Sequence, residues 1–441
     1  MLKMTRWVCR ACGHENKRGA FCAKCKTLKF LLGAVDLPAN YVQVLAMTRY
    51  LEPAIDMHHQ LSVKFSKDEP DMLDTLVFML THRHGDGAMY IEFPYRAYQF
   101  EARAIFDNMV DFCETLDTDA HLMDTLPDKR LDSYLLMGGV PVKPKSVDVQ
   151  IDVSWNDPLN PESRGKFYVF TSDVYDQVDI FSDLFQERVR LRCTRRGMPS
   201  PMSVWYTEAF QRAFLPQFVA GGGFTPRLLA DSLQLHANRE LFTRVQWSEC
   251  TKFKPSFAIF VVKLLFGPLP VKWLDISAGW GDRAGAAVAL KTEKYVGYDP
   301  NTDLEPGHNK ILDLDRSVDA SIIYKPFEFA ELEPESFNLV FSSPPYFDLE
   351  AYSSLPGQST DSHKTFEKWL RGFFLASIDK AWAALEQGGY LAMHIVDQPG
   401  MLVVDPMIRR VAELGGDFMG VLFSFGMASG RSQPTWVFIK P

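Results

Sequence analysis

Two short stretches of this sequence carry residue types whose order could do chemistry. The first is D-I-S-A-G-W-G, residues 275 to 281, where an acid closes an apolar run and Gly279 and Gly281 follow it. Glycine lacks a Cβ, so such a turn lets the backbone pass close to a ligand. The next apolar run, K-Y-V-G-Y-D-P, ends in Asp299, an acid placed to accept two hydrogen bonds from ribose hydroxyls. The second stretch is F-S-S-P-P-Y-F-D-L-E, residues 341 to 350. It leaves an apolar run, stiffens itself with Pro344 and Pro345, and then presents Tyr346 and Phe347. A surface turn needs less than this. Consecutive prolines fix φ and therefore aim the carbonyls beside them. A third constellation lies at the N-terminus, where Cys9, Cys12, Cys22 and Cys25 read C-x2-C-x9-C-x2-C. Two such knuckles can close a tetrahedral four-sulfur site suited to a structural Zn2+. A stretch of about 30 residues is too short to fold on its own core, and a metal would supply the missing stability.

The elements that must position the first two stretches are legible from about residue 246 onward. V-K-W-L-D-I-S reads as a short buried strand, A-G-A-A-V-A-L as a helix, and S-F-N-L-V-F-S as a further strand. F-E-K-W-L-R-G-F-F-L-A-S-I-D-K-A-W-A-A-L predicts one long amphipathic helix, G-G-Y-L-A-M-H-I the next strand, and F-M-G-V-L-F-S-F-G with P-T-W-V-F-I-K-P a terminal antiparallel hairpin. Strand, glycine turn, helix, strand and acid resemble a Rossmann-like unit. In an open α/β sheet, ligands lie beyond the carboxyl ends of the strands, so Gly279, Asp299 and Pro344 are predicted to converge.

Upstream the reading is coarser. Residues 33 to 245 mix helical and strand signals, with a helix over 101–116 and strands at 89–100, 148–155 and in G-K-F-Y-V-F. T-H-R-H-G-D-G, residues 81 to 87, predicts a hairpin turn rather than a metal site at His82 and His84. R-V-R-L-R-C-T-R-R, residues 188 to 196, holds five arginines and is either a solvated edge or a phosphate contact.

A chain of 441 residues implies two to four domains, and 46% apolar with 23% charged residues is the composition of a globular protein. The N-terminus lacks the apolar run of a signal peptide, and Phe257 to Leu269, broken by Lys263, is too short to span a bilayer. Seven cysteines without a secretion signal point to a reducing, cytoplasmic compartment with no membrane partner. The net charge of -8 hides a basic N-terminus, where residues 1 to 29 carry eight lysines and arginines against Glu15 alone.

The pairing of D-x-x-x-G-x-G with S-P-P-Y resembles the amino-methyltransferases that use S-adenosylmethionine to methylate N6 of adenine or N4 of cytosine in DNA. The resemblance covers residues 246 to 441. It implies a Rossmann-like class I methyltransferase domain with a seven-stranded α/β sheet over 246–441, preceded by a zinc ribbon over 1–32 and a mixed recognition or oligomerisation region over 33–245. It assigns catalysis to Ser343, Pro344, Pro345 and Tyr346. The Ser343 side chain and the Pro344 carbonyl would accept the two hydrogens of the amine, and Tyr346 would stack on a flipped-out base. It assigns the cofactor to Lys254, Pro255, Asp275, Ser277, Gly279, Gly281, Asp299 and Glu328. DNA is the implied partner, with the zinc ribbon and the 188–196 arginines as recognition elements. RNA is the alternative substrate, because related enzymes use a P-P-Y loop with Asn first. A non-catalytic binding subunit with a dead cofactor pocket is the alternative of another class.

Overall fold

Lys272–Asp275, Lys294–Tyr298, Asp319–Ile323, Phe337–Ser342 and Leu385–His394 line up in parallel along one side of one mixed sheet. They belong to a computed structural model that describes residues 7–8, 15–16, 83–84, 87–88, 101–123, 166–172, 174–201, 203, 250–353, 355–398, 400–426 and 431–441. The chain divides into two units. One comprises Met1–Gln99 and Gly197–Glu249; the other comprises Phe100–Arg196 and Cys250–Pro441.

In the first unit the described backbone forms two short antiparallel pairs. Trp7–Val8 pairs with Glu15–Asn16, and Arg83–His84 pairs with Gly87–Ala88 around the turn expected in T-H-R-H-G-D-G. Cys9, Cys12, Cys22 and Cys25 lie outside the described residues. Among the described residues no group of three or more His, Cys, Asp or Glu side chains is placed to hold a metal, and no helix is long and apolar enough to cross a membrane.

The second unit is built on the mixed sheet. Its strands in chain order are β1 (Leu122–Met123), β2 (Phe167–Thr171), β4 (Lys272–Asp275), β5 (Lys294–Tyr298), β6 (Asp319–Ile323), β7 (Phe337–Ser342), β9 (Leu385–His394), β10 (Asp417–Gly426) and β11 (Arg431–Ile439). Two short strands outside it, β3 (Thr194–Arg195) and β8 (Glu350–Ala351), pair with each other. Across the sheet the order is β6-β5-β4-β7-β9-β11-β10-β2-β1. Strand β11 runs antiparallel to both β9 and β10, so the predicted terminal hairpin forms.

The sheet has nine strands and not the seven expected. The two additional strands come from upstream of residue 246: β2 pairs in parallel with the edge of β10, and β1 closes on β2. An edge strand leaves a row of backbone groups unpaired, and F-Y-V-F-T covers it. The helix expected over 101–116 is present as α1 (Ala102–Thr115), and α2 (Asp183–Arg190) follows β2. Phe170 of β2 also packs on Phe257 and Phe260 of the helix α3 (Pro255–Phe266) at centroid distances of 5.8 and 5.2 Å. The G-K-F-Y-V-F strand was legible in the sequence; its place beside β10 depends on partners such as Tyr168 and Leu422, far apart along the chain.

Local chemistry sets the other boundaries. Pro255 stands at the first turn of α3, where its missing N–H costs nothing, and Gly267 ends the helix with φ +55°. Helix α4 (Asp282–Ala289) is rich in small residues and is buried along its whole length. The long helix predicted over 366–385 is present with an interruption: Phe366–Trp369 is α-helical, Leu370–Leu375 is a π-helical turn, and Ala376–Ala384 resumes the α-helix. Trp369 is fully buried there and stacks on Phe374 with centroids 5.7 Å apart.

Candidate cofactor and substrate site

Beyond the carboxyl ends of β4, β5, β7 and β9 lies a cavity of about 890 Å³. Ser277, Gly279, Asp299, Glu328, Lys254 and the whole of Ser343–Tyr346 line it. The convergence predicted from strand polarity is therefore present in the structure.

The turn after β4 is held from below. Asp275 is fully buried and stands outside the cavity lining. Its carboxylate accepts from Arg283 Nε at 2.8 Å, Arg283 Nη2 at 3.3 Å, Tyr295 Oη at 2.9 Å, Ser342 Oγ at 2.7 Å and the Ser277 amide at 3.2 Å. Asp275, expected at the cofactor, thus stands beneath the cavity and not in its wall. Its acceptor capacity is spent on joining β4, β5, β7 and α4 beneath the site. Pro255 is buried at the start of α3, and neither it nor Gly281 lines the cavity, whereas Lys254 and Gly279 do.

Both motif glycines adopt positive φ, +58° at Gly279 and +89° at Gly281. His308 fixes the turn. A carbonyl can only accept, so the 2.8 Å contact to the Gly279 carbonyl places the ring proton on Nε2. Nδ1 then accepts from Tyr324 Oη at 3.0 Å. Burial lowers the His308 pKa to about 4, which keeps the ring neutral in that tautomer. A Cβ on Gly281 would meet Ile311 Cδ1 at 2.6 Å and His308 Cδ2 at 3.1 Å. Gly281→Ala is therefore expected to cost about 1–3 kcal/mol, from overpacking and left-handed strain together. A thermal-unfolding midpoint unchanged from the parent would refute this.

Asp299 follows β5. Its Oδ2 accepts from the Gly279 amide and its Oδ1 from the Asn301 amide, each at 2.9 Å. Burial pushes its carboxyl up to about 6. Glu328 is buried at the cavity wall with Oε1 3.7 Å from His363 Nε2, while Oε2 meets no hydrogen-bond partner among the described residues. Burial raises its pKa as well.

The loop after β7 is pinned at both ends. Tyr346 Oη accepts from the Val396 amide at 3.2 Å, which ties the aromatic ring to the segment after β9. Further on, β8 pairs with β3, and the Arg196 amide donates to the Leu349 carbonyl at 2.6 Å. Glu350 forms an ion pair with Arg195, Nε to Oε1 at 2.8 Å, and accepts from Tyr352 Oη. Asp348, Glu350 and Tyr352 all line the cavity and so shape it.

The arginine run divides. Arg190 is buried against Asp183 at 2.8 Å, and the half-buried Arg195 is held by Glu350. Arg190 is thereby tied into the fold, whereas Arg195 also lines the cavity. Arg188, Arg192 and Arg196 are exposed.

Several cavity residues carried no recognisable signal in the sequence. Trp280 stands between the two glycines, donates from Nε1 to the Thr251 carbonyl at 2.9 Å, and packs edge-on against Tyr352 at 5.8 Å. Arg283 lies over the Phe253 ring at 4.9 Å. His394 and Gln433 come from neighbouring strands and meet only in the folded sheet. The charged D-R pair at the start of a helix of small apolar residues is the sequence feature that signals a buried partner for Arg283.

No protein-family model matches the chain, and no curated protein matches it. Solved structures do resemble it. TrmN from Thermus thermophilus is 14% identical over 43% of this chain and 49% of its own, with a TM-score of 0.32. N-methyltransferase NodS from Bradyrhizobium japonicum is 12% identical over 42% of this chain and 94% of its own, with a TM-score of 0.31. A SAM-dependent O-methyltransferase from Thermotoga maritima is 12% identical over 43% and 67%, with a TM-score of 0.29. This chain thus spans about half the length of TrmN. The strand order β6-β5-β4-β7-β9-β11-β10, with β11 antiparallel, contains the parallel strands and the terminal hairpin predicted from the sequence, and β2 and β1 extend it. Likeness at these identities and TM-scores carries nothing about activity or substrate.

Proposed function

We propose that this protein is an S-adenosylmethionine-dependent methyltransferase acting on the exocyclic amine of a DNA base, N4 of cytosine or N6 of adenine. The observation that carries the reading is one cavity lined at once by Gly279, Asp299 and Ser343–Tyr346. Ser343 in the first position of S-P-P-Y favours DNA over RNA within that reading.

The chain's residues suit the cofactor. The space over Gly279 is open on the cavity side: a Cβ placed there would have the Ser277 carbonyl oxygen as its nearest neighbour, 3.8 Å away. Each Asp299 oxygen keeps a lone pair beyond the amide it already serves, enough for two ribose hydroxyls. The Glu328 Oε2 and Asn301 Nδ2 atoms are buried at the cavity wall without partners among the described residues. When bound, S-adenosylmethionine supplies a methyl group on an electrophilic sulfonium centre. Ser343 Oγ and the Pro344 carbonyl accept the two amine hydrogens, which aligns a weakly nucleophilic nitrogen by positioning alone. Pro345 holds that carbonyl's direction, and Tyr346 covers the base. A base must leave the duplex to reach this depth.

The zinc ribbon belongs to the same reading. The paired Trp7–Val8 and Glu15–Asn16 segments bracket Cys9 and Cys12 along the chain, which suits a C-x2-C knuckle between them. The metal at Cys9, Cys12, Cys22 and Cys25 would be structural, because four thiolates close the site.

The test is methyl transfer from labelled S-adenosylmethionine to separate pools of duplex DNA, single-stranded DNA and RNA, with nucleosides identified by mass. N4-methylcytosine or N6-methyladenine in DNA is the expected result. Label in RNA alone would overturn the DNA assignment, and absence of cofactor binding would overturn the enzyme.

A pH dependence follows from Asp299. Its ionised form is the one that accepts ribose hydroxyls, and its folded pKa is raised to about 6 by burial. Affinity for S-adenosylhomocysteine is therefore expected to hold above about 6 and to fall as the pH drops through that value. Calorimetric titrations from about pH 5 to 8 check this. Asp299→Asn should bind at least about tenfold more weakly at neutral pH and lose that Asp299-linked step. A parent profile flat across this range would refute the assignment.

A further inference from the structure

His394 closes β9 beside the S-P-P-Y loop: Ser342 of β7 is in register with Met393, and His394 with Thr435 of β11. The ring is buried, and its Nε2 lies 3.1 Å from Gln433 Oε1. An amide oxygen can only accept, so Nε2 carries the proton. Nδ1 is then the acceptor, and Thr435 Oγ1 donates to it at 2.8 Å. Burial lowers the His394 pKa to about 4, so the imidazole stays neutral in this tautomer. Phe253 and Phe257 pack edge-on against it at 4.9 and 5.6 Å and hold its plane.

The consequence lies at Gln433. With its oxygen turned to His394, the amide presents its NH2 end elsewhere, and Gln433 lines the cavity. Gln433 stands two residues before Thr435 in β11, and the antiparallel register puts it on the side where Val396 follows His394. Val396 is the residue whose amide anchors Tyr346. Gln433 therefore brings a hydrogen-bond donor to the wall of the cavity that Tyr346 also lines, and Ser343 and Pro344 bring acceptors to it.

We propose that Gln433 is a specificity-determining residue that donates to the ring nitrogen adjacent to the reactive amine, with His394 as the residue that positions its amide. Two acceptors and one donor complement an amidine edge, –N=C–NH2. Cytosine presents that edge at N3 and N4, and adenine at N1 and N6. A site built to hydrogen-bond a substrate atom discriminates strongly against an analogue lacking it, because the site's own polar group is left unpaired. This inference rests on the amino-methyltransferase reading.

The experiment is a double-mutant cycle on the full chain. The DNA pool first identifies the methylated base. Oligonucleotides are then made with that base or with its deaza analogue, 3-deazacytosine or 1-deazaadenine, and kcat/KM is measured for the parent and Gln433→Leu. Gln433 is exposed on one side, so the substitution leaves the core intact. The expected result has three parts. The parent loses about tenfold or more on the deaza base. Gln433→Leu loses a similar factor on the natural base, with S-adenosylhomocysteine affinity within about twofold of the parent. The deaza penalty nearly disappears in Gln433→Leu. His394→Ala should reproduce that loss of coupling, and Gln433→Glu, which faces the ring nitrogen with an acceptor, should lose more than Gln433→Leu. An equal deaza penalty in parent and Gln433→Leu overturns the proposal while leaving the methyltransferase reading in place. No methylated base with the parent overturns both.

Discussion

Asp275→Ala is expected to lower stability by about 3–5 kcal/mol, because it strands a buried guanidinium. Arg283 is 3% exposed, and its salt bridge in the structure is to Asp275 at 2.8 Å. Without the carboxylate, Tyr295 Oη and Ser342 Oγ lose their acceptor as well, and both sit on strands that must stay in register beside β4. The loss would extend to the glycine turn, because Arg283 also donates to the Ser277 carbonyl. Thermal unfolding by circular dichroism would register the change as a fall of several degrees in Tm. Asp275→Asn should recover part of it, since an amide oxygen still accepts, but it leaves the charge of Arg283 uncompensated. If Asp275→Ala unfolds like the parent, Asp275 is not the keystone beneath the site, and a direct contact with the cofactor becomes the better account of it.

Tyr346→Ala is expected to lower kcat by about 100- to 1000-fold while leaving affinity for S-adenosylhomocysteine within a factor of about two. The ring packs against the core, and its hydroxyl accepts one backbone amide from Val396. On the proposed reading, removing the ring takes away the surface that would hold the base and frees the loop that would aim the Pro344 carbonyl. Tyr346→Phe separates the two contributions. It keeps the ring and loses one hydrogen bond, so a loss of about five- to tenfold is expected. Equal losses in the two variants would mean that the hydroxyl anchor, and not the aromatic surface, carries the effect. Unchanged kcat in Tyr346→Ala would remove the stacking role altogether.

What the sequence determined by itself about this protein is the part written in local chemistry. D-I-S-A-G-W-G had to be a strand end and a turn, because apolar residues run into two glycines that take positive φ. K-Y-V-G-Y-D had to end in an acid at the next strand tip, and S-P-P-Y had to leave β7 as a stiff loop. Strand polarity then made their meeting predictable, since parallel strands deliver their carboxyl ends to one side of the sheet. The tertiary structure alone decided what stands behind and beside them. Asp275 reads as a site acid in the sequence and becomes a buried acceptor, because Arg283, Tyr295 and Ser342 converge on it from three other elements. The arginines of 188–196 read as one basic patch, yet pairing with Asp183 and Glu350 removes Arg190 and Arg195 from it. The strands β1 and β2 join the sheet through partners such as Tyr168 and Leu422, and His394 orients Gln433 across 39 residues. Such contacts follow neither the strand nor the helix period along the chain, so they become visible only when strands distant in sequence lie side by side.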